Sequence, residues 1–124
     1  MRFGASHKLR KDSEFAHLRA EGSRYNCGSF VLIGAVRVET ETPLSFPRFA
    51  VIASKKMIGN RAVDRNRAKR IFREIFRQNQ AAFPQDFDVL LIAKRSALSR
   101  PFAKLSEQFV AGARFLVGQI AQKK

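Results

Sequence analysis

Arginine, lysine and asparagine are concentrated in one short stretch, AVDRNRAKRIFREIF, at residues 62–76. Guanidinium groups bind phosphate oxygens through paired hydrogen bonds, and an amide can bond to a ribose or a base edge. On an α-helix that advances about 100° per residue, most of these polar residues fall within an arc of about 140°. We call this arc the cationic face; it comprises Arg65, Asn66, Lys69, Arg70, Arg73 and Arg77. The pattern predicts a helix whose polar side binds a polyanion.

The neighbouring arc of the same helix is apolar, which predicts that the helix packs on a protein core. It contains Ala68, Ile71, Phe72, Ile75 and Phe76, at the three- and four-residue spacing of a buried stripe. A polar face that is merely solvated usually mixes charge signs. Here Glu74 lies outside the cationic face, and Lys55, Lys56 and Arg61 add positive charge before the helix. We therefore favour a binding surface over a solvated face.

The overall composition indicates the same kind of partner. The chain has 124 residues, a formal net charge of +14 and an isoelectric point near 11.3. Such a charge favours a polyanion, and no stretch is long and apolar enough to span a bilayer. The N-terminus MRFGASHKLRK has no apolar signal core, and Cys27 is the only cysteine. We expect a cytoplasmic protein with no membrane partner, no disulfide and a buried Cys27.

Hydrophobic patterns predict a single α+β domain over residues 1–124, with residues 1–11 as a basic, flexible N-terminus. A short helix is predicted after Asp12 or Ser13, ending at Gly22. Two apolar runs, residues 29–38 and 48–54, predict an antiparallel hairpin with a long loop. The basic helix is predicted from about Asp64 to Ala82, followed by a central strand and a last helix.

The central strand is predicted over Phe87–Ala93, and the last helix from about Ser99 with Pro101 in its first turn. The apolar positions of that helix recur every three or four residues, at Phe102, Leu105, Phe109, Ala113, Leu116 and Ile120. Two long helices can cover one face of a small sheet. The other face is then a place for an extended ligand.

A protein that cuts RNA by itself is one alternative. It would need carboxylates that converge on metal ions, or a histidine acting as a base. The candidates lack metal-ligand spacing and are explained more simply as caps, turns or surface residues: Asp64, Asp86, Asp88, His7 and His17. We expect neither a catalytic residue nor a metal site in this protein.

Charge alone does not separate DNA from RNA. Strands are predicted on both sides of the basic helix, so the partner helix of a helix-turn-helix unit is missing. Structured RNA, recognised by shape and by phosphate contacts, is the better match, and we expect no DNA partner. A ribosomal or other structural RNA-binding protein would explain the charge and the fold equally well.

One motif discriminates between these alternatives. The stretch Ala62-Val63-Asp64-Arg65-Asn66-Arg67-Ala68-Lys69-Arg70-Ile71-Phe72-Arg73 resembles the A-V-x-R-N-R-x-K-R-x-x-R signature of the bacterial ribonuclease P protein subunit. Weaker similarity extends from Leu9 to Arg95. The loop KKMIGNRAV is longer than the K-K-x-G-N-A-V form frequent in that family, with Arg61 inserted. Arg19 and Ile33 stand where family members often have aromatic residues.

The resemblance implies an α-β-β-β-α-β-α sandwich with a left-handed βαβ crossover, similar to domain 2 of ribosomal protein S5. It implies a subunit that assists a catalytic RNA, with Mg²⁺ bound mainly by that RNA, in removing the 5′ leader of precursor tRNA. The residues implied to bind the catalytic RNA are Arg65, Asn66, Arg67, Lys69, Arg70 and Arg73. Those implied to bind the leader are Phe15, Arg19, Phe30, Lys55 and Lys56.

Overall fold

The computed structural model describes residues 22–36, 47–84 and 87–122. Its four strands are β1 (Ser23–Asn26), β2 (Phe30–Val36), β3 (Arg48–Ile52) and β4 (Phe87–Ala93). Its three α-helices are α1 (Lys55–Ile58), α2 (Ala62–Gln78) and α3 (Phe102–Gln122). The predicted first helix, the N-terminus and the predicted long loop between the two apolar runs lie outside the described residues. The α+β class is confirmed.

The strands form one sheet in the order β1-β2-β4-β3. β2 pairs antiparallel with both β1 and β4, whereas β3 pairs parallel with β4. The predicted hairpin between the two early apolar runs is therefore wrong, because both neighbours of β2 are other strands. Apolar content marks a buried strand but does not select its partner. The parallel β3–β4 pair is the one that the implied crossover requires.

The actual hairpin joins β1 to β2 through residues 27–29. Gly28 has φ +91°, a conformation that glycine adopts without the cost of a Cβ clash. The Asn26 side chain accepts a hydrogen bond from the Gly28 amide at 2.9 Å, and the Cys27 amide donates to the Phe30 carbonyl at 2.8 Å. β1 is short and largely polar, so hydrophobic periodicity did not reveal it.

Both long helices pack on the same face of the sheet. The apolar stripe of α2 is buried as predicted at Ala68, Phe72, Ile75 and Phe76, and Ile71 is partly buried. The Phe49 ring stacks on Phe76 at 4.3 Å, and Phe109 of α3 meets both rings edge-on. Each such buried side chain contributes about 1.5–3 kcal/mol through removal of apolar surface from water.

The predicted boundaries of the later elements are nearly correct. β4 spans the predicted residues, and α2 begins at Ala62 and ends at Gln78, before a 3₁₀ turn at 80–82. Asp64 was expected as a cap, but Arg61 occupies the N-cap position and Asp64 lies in the first turn. In α3 the predicted core positions from Leu105 to Leu116 are buried, whereas Phe102 is exposed in a shallow groove on the outer surface.

The opposite sheet face carries a smaller apolar cluster, formed by Ile33, Ala35 and Leu90. Within the described ranges, the buried residues of all three helices belong to the first face. None of the described helices is long and apolar enough to cross a membrane.

Candidate nucleic-acid interface

The helix α2 presents its cationic face outward because its apolar stripe is anchored in the core. Asn66, Arg70 and Arg73 are exposed, and Lys69 is partly exposed. Arg67 is also exposed but lies on another side of the helix, outside the cationic face. The surface is thus a row of guanidinium and ammonium groups with one amide, suited to phosphate and ribose contacts.

At the C-terminal end of the cationic face, Arg77 is paired with a carboxylate of the same helix. Glu74 accepts hydrogen bonds from Arg77 Nε at 2.9 Å and from Gln78 Nε2 at 3.0 Å. The hydrogen bond from Arg77 is the main reason that the pKa of Glu74 falls to about 2. The Glu74 carboxylate therefore offsets part of the positive charge of Arg77 near neutral pH. The other cations of the cationic face lie on the N-terminal side of this pair, at residues 65–73.

At the N-terminal end of α2, residues 59–61 join it to α1, and we call residues 55–61, which comprise α1 and this connection, the α1–α2 corner. Ser54 precedes it and caps α1, its hydroxyl accepting a hydrogen bond from the Met57 amide at 3.2 Å. Ile58 is buried and anchors the corner in the core, whereas Lys55 and Lys56 are exposed. Both lysines therefore face solvent from a fixed backbone.

Arg65 connects the cationic face to this corner. Its Nη1 donates to the carbonyl oxygen of Gly59 at 3.0 Å, which explains why the side chain is only partly exposed. Part of the Arg65 guanidinium is thus used within the protein. The remaining members of the face nearer the helix middle are more accessible to a ligand.

The parallel pairing of β3 and β4 brings further cations to the same edge of the sheet. Parallel strands end at one edge, so Lys55 and Lys56 after β3 lie on the side where Lys94 and Arg95 follow β4. Lys94 Nζ donates to Asn26 Oδ1 at 3.3 Å, and Arg95 Nη1 donates to the Ile58 carbonyl at 2.6 Å. Sequence reasoning gave Lys94 and Arg95 no role. Their position directly after a central strand was the available signal.

The comparison with protein families identifies the family of this chain. A family model described as Ribonuclease P matches residues 3–115, nearly the whole chain and all of the basic helix. The chain belongs to the Ribonuclease P protein family.

Relatives and solved structures agree with this assignment. The Ribonuclease P protein component of Syntrophus aciditrophicus is 35% identical over 103 residues, covering 83% of this chain and 81% of the relative. The solved RNase P protein of Thermotoga maritima has a TM-score of 0.68 and 25% identity, covering 84% of this chain and 92% of that one. An RNase P protein of Staphylococcus aureus has a TM-score of 0.69 at 21% identity, covering 88% and 94%, and shows the shared fold. Membership in the Ribonuclease P family gives the chain a role in tRNA 5′ processing, as a component of an endoribonuclease.

Among the residues that the family resemblance implied for leader binding, Phe30 requires a correction. Its side chain is 0% exposed, lies on the helix-covered face and packs on Phe72 with ring centroids 4.8 Å apart. A ring enclosed in the core cannot stack on a base, so Phe30 is a core residue in this structure. Phe15 and Arg19 lie outside the described residues.

The carboxylates do not assemble a metal site in the part of the chain that the structure describes. No group of three or more His, Cys, Asp or Glu side chains comes together there. Asp88 is buried and bound by Arg48, and Asp64 lies 3.9 Å from Arg61 and 3.8 Å from Arg95. His7, His17 and Asp86 lie outside the described ranges. The donor set described in this Ribonuclease P protein thus offers no built site for Mg²⁺.

Proposed function

We propose that this Ribonuclease P protein binds the catalytic RNA of the enzyme through the cationic face of α2. The exposed Asn66, Arg70 and Arg73 carry the proposal, because they form a row of phosphate and ribose donors on a rigidly anchored helix. Lys69 and Arg65 extend the row, and the exposed Arg67 contacts RNA from the neighbouring side. The RNA is the catalyst, and this chain contributes binding and orientation.

The α1–α2 corner contacts the single-stranded 5′ leader of precursor tRNA. Lys55 and Lys56 are exposed at the end of β3, next to the sheet face on which no described helix packs. An extended backbone can follow such a face while ammonium groups bind its phosphates. Phe15 and Arg19 remain proposed leader contacts from the family resemblance, whereas Phe30 is withdrawn because it is buried.

Mg²⁺ is held mainly by the catalytic RNA in this proposal. The metal supplies charge stabilisation for phosphodiester hydrolysis when it is bound. This chain neutralises RNA phosphates with arginine and lysine, which lowers the repulsion between RNA and substrate. We infer a cytoplasmic complex whose partners are the catalytic RNA and precursor tRNA.

The decisive experiment measures 5′ cleavage of a leader-bearing precursor tRNA at low Mg²⁺. Three reactions are compared: the cognate catalytic RNA alone, the protein alone and both together. We expect cleavage to require the RNA, and the protein to increase it more for the leader-bearing substrate than for one with a trimmed leader. Cleavage by the protein alone would make it a nuclease in its own right. No effect of the protein would assign its charge to another RNA.

A further inference from the structure

Two guanidinium groups from outside the α1–α2 corner hold its backbone. Arg95 Nη1 donates to the carbonyl oxygen of Ile58 at 2.6 Å, and Arg65 Nη1 donates to that of Gly59 at 3.0 Å. Two consecutive carbonyl groups thus each have a charged donor. Hydrogen bonds to charged groups contribute more than neutral ones, so these contacts restrain the corner in addition to the buried Ile58.

The backbone at Gly59 is adapted to this contact. Gly59 has φ +128°, and a Cβ built there would lie 3.0 Å from Arg95 Nη1. Glycine therefore permits both the turn and the approach of the guanidinium. The Gly59 amide donates to the Lys55 carbonyl at 2.9 Å, so the conformation at Gly59 is linked directly to the first lysine of the corner.

Arg95 also joins elements that are distant in sequence. It follows β4, its guanidinium bonds the corner 37 residues earlier, and it lies 3.8 Å from Asp64 in the first turn of α2. Its side chain is 65% exposed, so the ion pair with Asp64 contributes little through charge alone. The short hydrogen bond to the Ile58 carbonyl is the stronger interaction.

We propose that Arg95 is a positioning residue for leader binding. By fixing the α1–α2 corner, Arg95 sets the location of Lys55 and Lys56 relative to the cationic face of α2. The inference rests on the proposed function, which assigns both lysines to the leader. The loop of this chain, with Arg61 inserted, is longer than the form frequent in the family, and a longer loop has more conformations for such a restraint to remove.

The first test uses the full-length free protein and no RNA. Amide hydrogen exchange is measured at Met57, Ile58 and Gly59 in Arg95→Ala. Arg100→Ala is the control, because it removes another exposed arginine from the same segment between β4 and α3. We expect exchange at these amides to accelerate about tenfold in Arg95→Ala and to remain unchanged in Arg100→Ala. Arg95→Lys is expected to lie between them, because an ammonium can still donate to one carbonyl. Unchanged exchange in Arg95→Ala would overturn the inference.

The second test asks whether Arg95 acts through the lysines. With the catalytic RNA bound, Arg95→Ala is expected to weaken the binding of leader-bearing precursor tRNA several-fold. The binding of mature tRNA should not change. In a Lys55→Ala, Lys56→Ala background, the same substitution is expected to cause no further loss of affinity for precursor tRNA. An equal loss in that background would show direct contact with RNA and overturn the positioning role.

The two proposals fail in different ways. If the corner loosens in Arg95→Ala but leader affinity stays at the wild-type value, Arg95 does not position the lysines and the inference fails; leader affinity in the Lys55→Ala, Lys56→Ala variant then tests the lysine assignment by itself. Protein-dependent cleavage by the catalytic RNA would be unaffected by this result. If the protein never stimulates cleavage, the proposed function itself fails.

Discussion

Arg48 and Asp88 face each other across the parallel pair β3–β4 and form a two-point salt bridge. Arg48 Nε donates to Asp88 Oδ1 at 2.9 Å, and Arg48 Nη2 donates to Oδ2 at 2.8 Å. The side chains are only 12% and 2% exposed. The pair fixes the register at the start of both strands, where the two residues are direct partners. Asp88 is thus a buried structural residue within β4, which corrects its expected assignment as a cap, turn or surface carboxylate.

Removing one partner of this salt bridge should destabilise the fold. Asp88→Ala leaves the Arg48 guanidinium buried without its carboxylate and should lower the free energy of unfolding by about 3–5 kcal/mol, measured by urea denaturation. The double variant Arg48→Met, Asp88→Leu should recover most of that loss, because both charges of the pair are then removed together. A folded Asp88→Ala protein with wild-type stability and no stimulation of cleavage would instead indicate a catalytic carboxylate.

The cationic face predicts a specific change in salt dependence. Arg70→Ala should weaken binding to the catalytic RNA by about 1 kcal/mol or more and reduce the slope of log K against log salt by about 1, because it removes a phosphate contact. Arg114→Ala, an exposed arginine of α3, is the matched control and should leave the slope unchanged. Equal slopes for wild type and Arg70→Ala would show that RNA does not bind this face.

Phe30 should behave as a core residue in both stability and binding measurements. Phe30→Ala creates a cavity beside Phe72 and should lower the free energy of unfolding by about 3–5 kcal/mol. Phe30→Leu keeps most of the volume and should remain folded, with the wild-type preference for leader-bearing over mature tRNA. A selective loss of that preference in Phe30→Leu would restore the leader contact that the family resemblance implied.

Two glycines of α3 should respond in opposite directions to the same substitution. A Cβ at Gly112 would lie 2.8 Å from Leu32 Cδ1 and 2.9 Å from Cys27 Sγ, whereas nothing lies within 4 Å at Gly118. Gly112→Ala should destabilise by about 1–3 kcal/mol through overpacking, and Gly118→Ala should stabilise by about 0.5–1 kcal/mol through helix propensity. Thermal denaturation of both variants tests the close approach of α3 to the sheet. Equal shifts of the melting temperature in the two variants would contradict this close approach.

Cys27 should make stability fall at alkaline pH. Burial raises the pKa of its thiol from 9.0 to about 12, with Lys94 opposing the shift. The folded state therefore keeps the proton over a range in which the unfolded chain loses it. This contribution is complete below pH 9 and is lost as the pH rises toward 12. Cys27→Ala should flatten that part of the stability profile, and a profile identical to wild type would exclude the thiol as the cause.

Local patterns predicted the features that depend on one element at a time. The apolar stripe of α2 and the limits of β4 were read correctly, because helix and strand periodicity assign each side chain to a face of its own element. Cys27 was predicted to be buried from its apolar neighbourhood, and it is. The Arg and Asn signature was sufficient to indicate the family that the comparisons show.

Contacts between distant residues could not be read in this way. β3 was assigned to β2, yet it pairs with β4, because several apolar strands are equally suitable partners and the choice is made by the whole sheet. The Arg48–Asp88 and Arg95–Ile58 contacts follow from that choice, since each joins chain segments brought together by the parallel pair. No local spacing indicates either contact.

The amino-acid sequence by itself determined the net charge, the two faces of the basic helix and the class of partner that such a surface binds. Only the tertiary structure decided which aromatic rings are enclosed, which cations meet at one edge of the sheet and which arginines hold the corner that carries Lys55 and Lys56. The physical reason is that periodicity orients a side chain relative to its own helix or strand. Whether that side chain then meets solvent, a charge or another ring depends on the packing of elements far apart in the chain.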